Sequence, residues 1–171
     1  KDLKNMKDAF KRSGYYFVEI TLEEKTNDNN TVDLIYNVDI GEKALIKKIN
    51  FIGDKKIKDK KLKKVIVSEE AKFWKFVSSR KFLDLNRIKL DENLLKNFYK
   101  NKGYYNVSVE SSSAKVIDES NFELIFNINA GKKYYFGTID LIIPDDYTSE
   151  SFQNIIEVQD KLEGQIYSLD K

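Results

Sequence analysis

Histidine and cysteine, the usual starting points for acid–base, nucleophilic and metal chemistry, are both missing from this sequence. Their absence removes the commonest general base and metal ligand, excludes disulfides and thiolate zinc sites, and leaves the redox compartment open. What remains are acidic pairs, Glu23-Glu24, Glu69-Glu70 and Asp145-Asp146. Adjacent residues of a strand point to opposite faces, and acids near a helix start are favoured by its dipole, so no pair converges as an acid–base couple must. The lysines are too scattered for a Ser–Lys nucleophile to stand out, and neither a phosphate loop nor a calcium-loop pattern occurs. We expect no enzyme, no cofactor and no metal site.

Two stretches point to binding instead. Asp54 to Lys64 contains seven lysines, which suit nucleic acid or anionic lipid head groups, or else form the solvated face of a helix turning Leu62, Val65 and Ile66 inward. The second reading is preferred, because related segments of the chain lack the lysines. Thirty basic against twenty-eight acidic residues leave a net charge of +2, so no nucleic-acid partner is expected. Phe73-Trp74 and Phe76-Val77 include the only tryptophan. They read either as an aromatic contact for a partner or, as we expect, as a loop folded back to cover a small core.

The elements that position these residues recur. Leu90, Leu94 and Phe98, with Leu95 and Tyr99, describe a helix with one buried face. Gly103 ends it, and Tyr105, Val107 and Val109 then alternate with polar residues as a half-buried strand does. Eighty-nine residues earlier Met6 and Phe10 stand in for Leu95 and Tyr99, and Gly14-Tyr15-Tyr16 for Gly103-Tyr104-Tyr105. The strand from Val32 to Ile40, closed by Gly41, matches Phe122 to Ala130, closed by Gly131. Phe136, Ile139 and Leu141 then repeat the strand at Ile46, Ile49 and Phe51. Asp59 is expected to cap a helix after the first of these strands, and Thr148 or Ser149 a helix after the second.

The offset grows from 89 to 90 across the second hairpin. Either a β-bulge near Ser111-Ser112-Ser113 or a longer turn at Asp118-Glu119-Ser120 accounts for it. One complete unit, 43–131, reads strand, helix, helix, strand, strand. Residues 1–42 are the end of a preceding unit and 132–171 the beginning of the next. The longest apolar runs are too short to cross a membrane as a helix. Lys1 in place of an initiator methionine leads us to expect a piece of a longer protein.

The order of these signals, with Asp-Glu-Asn-Leu-Leu before Phe-Tyr and Gly-Tyr, and Ile-Asn-Phe-Ile-Gly-Asp in the first strand, resembles the POTRA (polypeptide-transport-associated) domain. In tandem it is similar to the outer-membrane protein assembly factor family. Phe73-Trp74 to Phe82 resembles the third unit of such arrays, making 1–42 part of a second unit and 132–171 part of a fourth. The resemblance implies an α+β fold, each unit a three-stranded sheet covered on one face by two helices. It further implies a periplasmic location in a Gram-negative bacterium and a membrane link through a β-barrel downstream of this segment. Accessory lipoproteins and unfolded barrel precursors are the implied partners. A secretion or import translocon or a cell-division scaffold is the alternative within the same group. The expected contact is an edge strand read by β-augmentation through Tyr104, Tyr105, Asn106, Val107, Ser108 and Val109, with Phe73 and Trp74 as an aromatic contact.

Overall fold

The computed structural model describes residues 2–74, 77–118 and 120–170, with the backbone alone at 111–116 and 149. Helix α1 (Asp2–Arg12) leads into strands β1 (Glu19–Thr26) and β2 (Val32–Asp39), an antiparallel hairpin whose register runs without interruption from Glu19 opposite Asp39 to Thr26 opposite Val32. Then come β3 (Leu45–Asp54), the single turn α2 (Asp59–Leu62), helix α3 (Leu85–Lys100), β4 (Ser108–Val116) and β5 (Asn121–Asn129). A last helix, α4 (Gln153–Leu162), follows a short 3₁₀ turn at Ser149–Phe152.

β3, β5 and β4 form one sheet in that spatial order, β3 parallel and β4 antiparallel to the central β5. Alternation on β5 explains the core. Phe122, Leu124, Phe126 and Ile128 are buried on one face, while Asn127 and Asn129 are exposed on the other. Leu62 of α2 and Ile88, Leu95 and Tyr99 of α3 close over the apolar face. Burial of each such side chain contributes about 1.5–3 kcal/mol. This is the α+β arrangement expected, with helices on one side of a three-stranded sheet.

Several local expectations change. α2 is one turn rather than a longer helix, and Asp59 does not cap it; its carboxylate pairs with Lys55 instead. α3 begins earlier than the leucine pattern suggested, because Asp84 caps it by accepting from the amides of Asn86 and Arg87 at 2.9 and 3.1 Å. The buried stripe of α3 is Ile88, Asp91, Leu95 and Tyr99, whereas Leu90 is 48% exposed. Asp91 sits fully buried in the stripe and accepts from Val67 N at 2.6 Å and Ser68 N at 3.2 Å. A carboxylate at a core position hid the true face from a reading based on apolar residues alone.

Between Phe136 and Leu141 no strand forms; an isolated bridge joins the neighbouring Tyr135 to Ile166, Phe136 exchanges hydrogen bonds with Gly164 and Gln165, and Ile139 N donates to a Glu163 carboxylate oxygen at 3.0 Å. A strand exists only where a second strand accepts its hydrogen bonds, and no described strand lies beside this one. Thr148 precedes the 3₁₀ turn without a side-chain cap.

Candidate functional site

β4 is an edge strand: no strand among the described residues pairs with its outer side. Ala130 N donates to Asp54 O, so even-numbered residues of β5 bond to β3 and odd-numbered ones to β4. Ser108, Glu110 and Ser112 lie opposite Asn129, Asn127 and Ile125 and are therefore the bonded pairs. The main-chain groups of Val109 and Ser111 consequently point outward. The regular stretch ends where the register slips between Ser112 and Lys115.

That slip decides between the two explanations of the 90-residue offset. Asn27 N donates to Thr31 O in the first hairpin and Ile117 N to Asn121 O in the second, so the two turns are equally long. The additional residue is a bulge in β4. Glu119 itself lies outside the described residues. A second slip, between Ile46 and Lys48 on β3, faces the same stretch of β5 and has no signal in the sequence.

The opposite edge, β3, is occupied. Ala71 N donates to Ile46 O at 2.7 Å, Ile49 N to a Glu70 carboxylate oxygen at 3.0 Å, Lys55 Nζ to Phe51 O at 3.0 Å and Lys55 N to Gly53 O at 3.0 Å. Burial alone would raise the Glu70 pKa, but the Lys63 ammonium and the Ile49 amide outweigh it and hold this carboxyl below its ordinary value. One edge is guarded by the protein's own loop and side chains, and the other has no strand paired to it among the described residues.

The expected contact residues divide. The strand begins at Ser108, so Ser108 and Val109 belong to the β4 edge, whereas Tyr104 to Val107 form a turn, with Tyr104 N bonded to Tyr99 O and Val107 N to Tyr104 O. Two local hydrogen bonds override the alternating pattern. Tyr104 packs on Tyr99 in the core with ring centroids 5.7 Å apart. Tyr105 meets Tyr134 and Tyr167, and Asn106 Nδ2 donates to the Tyr134 hydroxyl at 2.7 Å. Tyr134 N donates to Gly103 O at 2.8 Å. The Gly-Tyr-Tyr turn is thus the joint onto the following segment. At the other end of the sheet, Gly14 O accepts from Ala44 N at 2.9 Å, and Tyr16 and Phe17 each lie 5.6 Å from Phe122. There Tyr16 and Phe17 both pack on the next core.

Phe73 and Trp74 do not fold back as a cover. They are 87% and 60% exposed, and Val77 is 86% exposed; Phe76 lies outside the described residues. No cluster of three or more potential metal-ligating residues occurs among the described residues. Nor is any described helix long and apolar enough to cross a membrane.

Residues 1–41 and 44–131 match the family model of POTRA, surface antigen variable number repeat. The chain belongs to the POTRA family. Among proteins similar to it is the outer membrane protein assembly factor BamA of Neorickettsia risticii, 28% identical over 115 residues, covering 67% of this chain and 15% of that protein. A putative outer membrane protein assembly factor of Treponema pallidum is 24% identical over 164 residues, covering 92% of this chain and 19% of that protein. The POTRA chain therefore spans less than a fifth of the length of either relative. Its fold is that of the Haemophilus influenzae BamA POTRA3-5 crystal structure, at TM-score 0.55 and 17% identity over 98% of this chain and 62% of that one.

Proposed function

We propose that the chain is a periplasmic scaffold of an outer-membrane protein assembly factor, built from tandem POTRA units at 1–42, 43–131 and 132–171. Its β4 edge receives extended segments of unfolded barrel precursors or accessory lipoproteins as an added strand. The observation that carries this reading is the contrast between the edges: β3 is closed by Glu70, Ala71 and Lys55, while no described strand pairs with the outer side of β4, toward which the register turns the main chain of Val109 and Ser111. An edge read through its backbone accepts many sequences. Each added hydrogen bond nets about 1 kcal/mol, whereas ordering the incoming segment costs about 1–2 kcal/mol per residue. The bulge after Ser112 limits the regular ladder, so binding is weak and quickly reversed, as passing a client onward requires.

The test is a titration of the chain with a peptide from an unfolded barrel strand, followed by amide chemical shifts. The amides of Val109 and Ser111 should shift, and Ser111→Pro, which removes an outward N–H without touching the ladder, should abolish the effect. Shifts confined to α3 would overturn the edge reading.

A further inference from the structure

The loop bearing Phe73, Trp74 and Val77 offers chemistry of its own. The Phe73 and Trp74 rings meet edge to face at 4.7 Å, and Lys72 Nζ lies 5.5 Å over the indole. A cleft of about 370 Å³ opens at the base of this loop, lined by Lys63, Lys64, Lys72 and Arg80 together with Glu69 and Glu70. Lys63 pairs with Glu70, and Arg80 with Glu69 at 3.0 Å. Four cations against two carboxylates leave the cleft positive in a chain whose overall charge nearly cancels. Ser68 also lines the cleft; it is 3% exposed, and its Oγ has no hydrogen-bond partner among the described residues.

Three large apolar side chains on one loop tip are costly to leave in water. Lys72 lies beside the Trp74 ring, and Lys63, Lys64 and Arg80 line the cleft at the base of the loop. A bilayer interface fits both features: aromatic side chains favour the head-group boundary, and an anionic leaflet attracts basic residues held just above it. We propose that Phe73, Trp74 and Val77 dock this unit onto an anionic phospholipid surface, with Lys64 and Lys72 at the lipid phosphates. Ala71 N ties the loop to β3, the edge opposite β4. The docked unit therefore keeps its β4 edge open, and neither activity requires the other.

Trp74 is the only tryptophan, so its emission reports on this site alone. Vesicles of phosphatidylcholine with phosphatidylglycerol should shift the emission of the intact chain to the blue, and brominated acyl chains should quench it. Affinity should fall about tenfold on pure phosphatidylcholine and again at high salt. F73S and V77S, exposed positions whose variants keep the native circular dichroism, should each weaken vesicle binding several-fold, and K64E/K72E should remove its salt dependence. An unshifted emission overturns the proposal, as does equal binding to neutral vesicles or full binding by F73S. A shift produced by inorganic phosphate or soluble glycerophosphoglycerol alone assigns the cleft to free anions and likewise overturns it. Aromatic variants that lose a protein partner while binding vesicles normally would assign the tip to that partner.

Discussion

The amide of Tyr134 donates to the carbonyl of Gly103 at 2.8 Å, and this contact has a counterpart one repeat earlier, from Ala44 to Gly14 at 2.9 Å. The cation–π contacts beside these bonds repeat as well. Lys43 Nζ lies 5.3 Å over Tyr15, and Lys133 Nζ lies 5.7 Å over Tyr104. Each unit thus ends its long helix on a glycine whose carbonyl receives the next segment, and each following lysine covers the tyrosine after that glycine. The repeat visible in the sequence is a repeat of joints as much as of units.

Alanine substitution should separate the two joints. Gly14 and Gly103 have φ near +94° and +92°, so Ala costs about 1–2 kcal/mol at either from the backbone alone. At Gly103 the new Cβ would also stand 2.7 Å from Ile166 Cγ2 and 3.3 Å from Tyr134 O, whereas at Gly14 its nearest neighbour is Leu83 O at 3.7 Å. Gly103→Ala should therefore speed hydrogen exchange at the Tyr134 amide, while Gly14→Ala leaves exchange at Ala44 close to wild type. Equal acceleration at both would contradict this difference.

Asp91 should be among the most sensitive polar positions. Its carboxylate is buried and satisfies the amides of Val67 and Ser68, which fixes the loop guarding β3. Asp91→Ala leaves two inward N–H groups without acceptors, at about 1–3 kcal/mol each. Asp91→Asn keeps one acceptor oxygen and should lose about half as much. Urea unfolding of the two variants reads the difference, and an alanine variant as stable as wild type would refute it.

The same residue marks the boundary of what the sequence could tell. Helix, glycine stop and hairpin are written in local patterns, which is why α3, Gly103 and the β4–β5 hairpin were legible. The extra residue was legible as the growing offset, but its place in β4 rather than in the turn needed the strand register and the equal turns. The inward face of α3 was not legible, since Asp91 occupies a position that periodicity assigns to an apolar residue. The guarded β3 edge depends on hydrogen bonds between Ile46 and Ala71 and between Ile49 and Glu70, which no local pattern encodes. Whether Phe73 and Trp74 cover a core or meet solvent is equally a tertiary matter, and composition favoured the wrong answer. Tyr105 to Val107 alternate like a strand, yet two turn hydrogen bonds keep them at a joint.

Acid should weaken the guarded edge. The Glu70 carboxyl lies below its ordinary value of 4.5 in the folded state, because the bonds from Lys63 and Ile49 outweigh burial. The unfolded chain then binds more protons, so this stabilisation is complete above 4.5 and is lost as pH falls through the folded-state value. Glu70→Gln should lower stability at neutral pH by about 0.5–1 kcal/mol, allowing for solvent screening. It should also flatten the acid limb of the stability curve below 4.5. A Gln variant whose acid limb runs parallel to wild type would remove Glu70 from this role.

Alkaline pH tests the core from the other side. The Tyr99 hydroxyl donates to the Lys55 carbonyl, joining α3 to the end of the β3 strand through the residue that also caps Phe51 and Gly53. Burial chiefly, with Tyr104, Asp59 and Asp54 adding to it, raises the Tyr99 pKa well above the ordinary 10.0. A raised folded-state value means that the unfolded chain ionises first. The contribution is therefore whole below 10.0 and disappears as pH climbs from there toward the folded value. Tyr99→Phe keeps the ring and its packing but loses the hydrogen bond, at about 1 kcal/mol near neutrality. Above pH 10.0 its disadvantage should shrink, because only wild type still loses stability through this group. Chemical denaturation on both sides of that value measures the effect, and a gap between the two proteins that widened with alkali would show that the Tyr99 phenol is not the group responsible.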